Sequence, residues 1–109
     1  MPDAAWCGGL SEAKKIATAA ETLYRPIAPH NCGGPVLHAA SLHLAANVTN
    51  LFILETVRRL YGGDYGGLVT RTYGELKDGW MPLPEGPGLG VELTADVLES
   101  SDVVIGRAE

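Results

Sequence analysis

Residues 26–35 read Pro26-Ile27-Ala28-Pro29-His30-Asn31-Cys32-Gly33-Gly34-Pro35. A short apolar run ends in a histidine, two glycines permit a tight turn, and a proline stands where a helix begins. That is the grammar of a strand, a turn and a helix. Downstream, the helix runs from about residue 35 to 47. It is rich in Ala and Leu and nearly apolar all round, so it should be heavily buried, with Asn47 at its end. Upstream, Ala13, Ile16, Ala17, Ala20 and Leu23 follow helical spacing, while Lys14, Lys15 and Glu21 fall mostly off that stripe. Ser11 is the N-cap candidate of this helix, and Glu12 suits its first turn. Two further apolar runs, residues 3–7 and 51–54, read as buried strands. The first 55 residues therefore read β-α-β-α-β. Helical crossovers imply parallel strands in an α/β sheet or barrel, and three strands are too few to close a barrel.

After about residue 60 the texture changes. Gly62-Gly63-Asp64 and Gly66-Gly67 break the alternation. Residues 68–82 are expected to form a small β-hairpin turning at Lys77-Asp78-Gly79, and Thr94 to cap a short helix over 95–100. Residues 82–90 hold three prolines and three other-than-helical Gly positions at 86, 88 and 90, and are irregular. Those glycines do not follow a strand and open a helix, so a nucleotide loop is not expected.

A chain of 109 residues makes one domain at most, and 46% hydrophobic residues suit a folded protein. No apolar run approaches the ~20 residues that span a bilayer, and no secretory leader is visible. A cytoplasmic protein is expected, with Cys7 and Cys32 as free buried thiols. The net charge of −5 divides into +1 over residues 1–63 (five basic, four acidic) and −6 over 64–109 (three basic, nine acidic). No basic stripe exists to neutralise phosphates, so nucleic-acid binding is disfavoured.

Asp3, His30 and Glu55 each sit at or near the end of a strand-like run. In repeated βα folds, side chains at C-terminal strand ends converge on one rim. An imidazole there titrates near neutral pH, or else makes a structural hydrogen bond. A carboxylate beside it fixes its tautomer. Glu55 either pairs with Arg58 or Arg59 or faces a substrate on the rim. His38 and His43 are five residues apart, ~140° around a helix, which is wrong for a shared metal. They are expected to be packed or partly exposed.

The stretches MPDAAWCGGLSEAKKIATAAE, PIAPHNCGGPVLHAASLHLAA, NLFILETVRR and PEGPGLGVEL together resemble the C-terminal portion of the mandelate racemase/muconate lactonizing enzyme group of the enolase superfamily. The likeness is closest to its acid-sugar (galactonate-type) dehydratases and covers nearly the whole chain. The spacings, 30 − 3 = 27 and 55 − 30 = 25 residues, suit dehydratase-like members. The resemblance implies a partial (β/α)8 barrel. Residues 1–60 would be its last three βα units and 61–109 the segment returning toward a capping domain. It implies that Asp3 and His30 are the Asp–His dyad of the sixth and seventh strands, and that Glu55 is the eighth-strand acid that hydrogen-bonds a substrate carboxylate.

The chemistry implied is removal of a proton α to a carboxylate, with magnesium stabilising the enediolate and water eliminated. The substrate would be an acid sugar or another α-hydroxy carboxylate. Racemisation or epimerisation is the alternative within the family, and a homo-oligomer is expected of the full-length enzyme. The family's metal carboxylates and second-strand catalytic residues do not occur in this chain. Cys32 stands where proline is frequent in relatives. Met1 falls at the start of the sixth strand, which would make the chain a truncated reading frame or a fragment. The reading of another class is therefore a catalytically inactive chain.

Overall fold

The computed structural model describes residues 1–57, 67–69, 76–104 and 106. Three helices follow in order: α1 (Leu10–Thr22), α2 (Pro35–Asn47) and α3 (Ala95–Glu99). Helix α2 has the bounds that the sequence implies, with Pro35 in its first turn, where the missing N–H costs nothing. Eight of its thirteen residues are buried, as an all-round apolar helix requires.

Helix α1 departs from expectation at its start. Gly9, not Ser11, is the N-cap, at φ 93°, and no side chain caps the helix. The preceding Gly8 is also in a positive-φ conformation, so the turn into α1 is made by the glycine pair. Its C-terminus is a complete Schellman motif, with Arg25 N–H donating to Ala20 O (2.9 Å) and Tyr24 N–H to Glu21 O (2.9 Å). The left-handed position, which glycine usually fills, is Tyr24 at φ 53°.

The expected strands are only partly formed. Residues 4–8 are a turn, not a strand: Cys7 N–H donates to Asp3 O (2.8 Å) and Gly9 N–H to Ala4 O (3.0 Å). A five-residue apolar run carries no periodicity that separates the two. Here the Asp3 carboxylate also accepts the Ala5 N–H at 2.7 Å and fixes the turn locally. The extended segment ends instead at residues 1–3, where Pro2 O accepts the His30 N–H (2.9 Å).

Ile27 and Leu51 form a parallel bridge, with Ile27 N–H on Asn50 O and Phe52 N–H on Ile27 O, each 2.8 Å. So the crossover is parallel, as the βαβ reading requires. The run 51–54 is not buried in this chain, however: Phe52 is 76% exposed and Ile53 57%. Its pairing is made on the Ile27 side, while these two side chains stay largely exposed.

The core brings Ala4, Ala13 and Leu44 together, with Cys7, Leu37 and Val48 against them. Thus α1 packs on α2 through small residues at one end. Ala13 and Ala17 of the α1 stripe are buried, whereas Ile16 and Leu23 are exposed. Lys14 Nζ donates to Asn47 O (3.0 Å), and Asn50 Nδ2 donates to Ala17 O (3.0 Å) and Arg25 O (2.9 Å). These bonds lock α1 to the chain leaving α2. Both cysteines are free, but neither is buried: Cys7 is half-buried and Cys32 exposed.

In the C-terminal part, Lys77 and Trp80 exchange both backbone hydrogen bonds around Asp78 (φ 51°) and Gly79 (φ 83°). This is a type I′ hairpin turn at the expected place. The strand residues 70–75 of that hairpin lie outside the described residues. Val69 instead bridges Leu93 in antiparallel fashion. Helix α3 follows Thr94, whose hydroxyl donates to Gly67 O (3.2 Å) rather than capping the helix. Among the described residues, no helix is long and apolar enough to cross a membrane.

Tyr24 is 97% exposed, so its side chain contributes little packing to offset its left-handed backbone. Tyr24→Gly should raise stability by about 0.5–1 kcal/mol, since relief of the left-handed strain outweighs the added freedom of the unfolded chain. Urea unfolding midpoints measure this, and a lower midpoint for the variant would contradict it.

Candidate active site

The site is built where the chain leaves its parallel pairing. Pro29 is buried and has no N–H, so the ladder from Ile27 cannot continue through it. Its carbonyl accepts the N–H of Glu55 (3.2 Å). In regular register that donor would be Leu54. The one-residue slip is a bulge, and it turns Glu55 toward the loop after Pro29. Together with the bond from His30 N–H to Pro2 O, it gathers three chain segments at one point.

Asp3, His30 and Glu55 meet there. His30 Nδ1 lies 2.6 Å from Asp3 Oδ2, and His30 Nε2 lies 3.6 Å from Glu55 Oε2. Asp3 is buried, whereas the side chains of His30 and Glu55 are 34% and 40% exposed. Glu55 Oε2 also faces the backbone N–H of Asn31 at 3.4 Å. The alternative pairing of Glu55 with Arg58 or Arg59 lies outside the described residues.

Burial raises the pKa of Asp3, but the His30 hydrogen bond, the Ala5 N–H, the charge of His30 and the Trp6 N–H together outweigh it. Its carboxyl ends below its ordinary value. A carboxylate at Nδ1 therefore accepts from an Nδ1–H, which leaves Nε2 facing Glu55. The imidazole is oriented at one nitrogen and open at the other, as a general base or acid must be.

His38 and His43 go different ways. His38 is buried beside Asn31 and Met81, while His43 Nε2 reaches Leu89 O at 3.2 Å. Asn31 was not singled out in the sequence, although its place directly after His30 was the available signal. An apolar groove of about 550 Å³ lies between α2, residues 51–54 and the turn at Trp80. None of Asp3, His30 or Glu55 lines it, so this groove and the titratable cluster are separate features.

Residues 1–97 match the family described as enolase C-terminal domain-like. The chain belongs to that family. It is 36% identical over 99 residues to D-xylonate dehydratase of Haloferax volcanii, covering 91% of this chain and 24% of that protein. It is 35% identical over 104 residues to D-galactarolactone cycloisomerase of Agrobacterium fabrum, covering 90% and 28%. Among solved structures, an enolase of the mandelate racemase subgroup from Agrobacterium tumefaciens superposes with a TM-score of 0.76 at 50% identity, over 84% of this chain and 24% of that one. The chain thus spans about a quarter of the length of these enolase-superfamily relatives. The TIM-barrel-like class of the enolase C-terminal domain is that of this chain.

The depressed pKa of Asp3 has a definite sign in stability. Its contribution is fully present above the unfolded value near 3.8 and is lost as pH falls through the lower folded value. Asp3→Asn should therefore lower stability at neutral pH and flatten its fall below about pH 4. Urea midpoints between pH 7 and 2.5 show this; parallel curves for the two proteins would contradict it.

Proposed function

We propose that this chain carries the proton-transfer half of an acid-sugar dehydratase-like site. The carrying observation is the His30 ring, held by Asp3 at Nδ1 with Nε2 left facing Glu55. In this reading Asp3 fixes the tautomer and stabilises the imidazolium that forms. His30 Nε2 takes the proton α to a carboxylate, or returns a proton to a leaving hydroxyl. Glu55 hydrogen-bonds the substrate carboxylate. The Asn31 N–H, on the same side, adds a donor to that corner. The likeness to D-xylonate dehydratase supports the substrate class, an acid sugar. The likeness to D-galactarolactone cycloisomerase supports the second reading, proton transfer without loss of water, because the same dyad serves either outcome. Residues 1–60 would then be the barrel part and 61–109 the returning segment.

Membership of the enolase superfamily implies a metal, usually magnesium. The residues here do not fit one. Among the described residues, no three His, Cys, Asp or Glu side chains form a group that could hold a metal ion. Both Asp3 oxygens are engaged, by Ala5 and by His30.

Two outcomes are expected. The 109-residue chain, supplied with D-xylonate and magnesium, should show no elimination, because loss of such charge stabilisation costs roughly a thousandfold or more in rate. Turnover by the purified monomer would overturn this. In a chimera where residues 1–97 replace the matching region of the Haloferax volcanii enzyme, His30→Asn should cut turnover by about 10²–10⁴-fold and leave magnesium binding unchanged. Retained turnover would remove the role given to His30, and lost metal binding would assign it a different one.

A further inference from the structure

Asn31 and His38 are polar side chains sealed in the interior, at 2% and 5% exposure, directly behind the His30 loop. Asn31 Nδ2 lies 2.5 Å from His38 Nδ1, and His38 Nε2 lies 3.1 Å from Met81 Sδ. A thioether sulfur only accepts, so Nε2 carries the proton and donates to Met81. Nδ1 is then a lone pair, and it must face the Asn31 NH₂ rather than its oxygen. The two contacts fit together in that sense of hydrogen bonding. Burial also pushes the His38 pKa below its ordinary value, which keeps the ring in this neutral form. Asn31 Oδ1, also buried, has no partner among the described residues.

We propose that Asn31, His38 and Met81 form a positioning chain that holds the His30 loop in register with Glu55. This deepens the site reading above and rests on it. The anchoring runs through one peptide. The Asn31 side chain is gripped by α2, and its backbone N–H faces Glu55 Oε2 while the preceding residue is His30. Met81 brings the segment after the Lys77–Trp80 turn into the same chain of contacts. His38 bonds to Asn31 and Met81 bonds to His38, so both reach the site through Asn31.

Nuclear magnetic resonance of the ¹⁵N-labelled 109-residue chain tests this without turnover. In His38→Leu, exchange of the Asn31 backbone amide should rise about tenfold while the Leu42 and Leu44 amides of α2 keep their rates. The downfield Nδ1–H resonance of His30 should broaden. His38→Asn, which restores an acceptor near the Nδ1 position, should recover both signals. Met81→Leu should shift part of the His38 population to the Nδ1–H tautomer. If His38→Leu does not fold, the other two variants decide: altered Asn31 exchange in Met81→Leu supports the chain, and wild-type signals throughout overturn it. Asn31 exchange that rises only in step with the α2 amides would also overturn it, reducing the three residues to packing. An inactive chimera would sink the catalytic reading and leave these signals untouched, so the two failures are distinguishable.

Discussion

Pro29 cannot donate a backbone hydrogen bond, and the arrangement of the site follows from that. A parallel ladder entering at Ile27 and Leu51 has to stop at Pro29. The bond that a Pro29 N–H would make is missing, and its carbonyl accepts the N–H of Glu55 rather than that of Leu54. The next amide, His30, pairs with Pro2. Three segments far apart in sequence are thereby fixed within a few bonds of one buried ring. Each presents one polar side chain at that point: Asp3 one residue past Pro2, His30 one past Pro29, and Glu55 at the bulge.

The packing behind the site is uneven, and the unevenness has direction. Helix α2 is sealed along most of its length, yet α1 buries only small residues against it. Leu23, Tyr24, Phe52 and Ile53 stand between 57% and 97% exposed. Apolar surface of that extent asks for a partner layer. In a TIM-barrel-like class the neighbours of such faces are further strands and helices. The relatives, about four times longer than the matched region, have the chain to supply them.

The sequence disclosed what local rules govern. Pro35 and the unbroken Ala/Leu composition mark both ends of α2, and Asp78-Gly79 marks a type I′ turn because both residues tolerate positive φ. His30 and Glu55 each end an apolar run, which marks them as candidates for one rim, whereas Asp3 begins its run and meets His30 only through the fold. Other features depend on pairings that no local pattern encodes. Residues 3–7 look alike as a strand or a turn until the Asp3 carboxylate is seen to hold the Ala5 amide. Ser11 has a capping side chain, but the positive-φ glycine pair starts the helix earlier. His38 reads as one more packed histidine, since Met81, its partner, lies 43 residues away in an aperiodic segment.

The two carboxylates beside His30 differ in a way that divides their labour. Asp3 is buried, bonded at 2.6 Å, and held ionised by donors that outweigh its desolvation. Its charge is spent on the Nδ1 side and is not free to exchange partners. Glu55 stands 3.6 Å from Nε2, beyond a direct hydrogen bond, and is 40% exposed. Had both carboxylates closed on the ring, the imidazole would be clamped at each nitrogen, with no lone pair to offer. The 1.0 Å difference between 3.6 and 2.6 Å therefore distinguishes the two nitrogens of the ring. It leaves one nitrogen committed to the fold and the other open to a group entering beside Glu55 and the Asn31 amide.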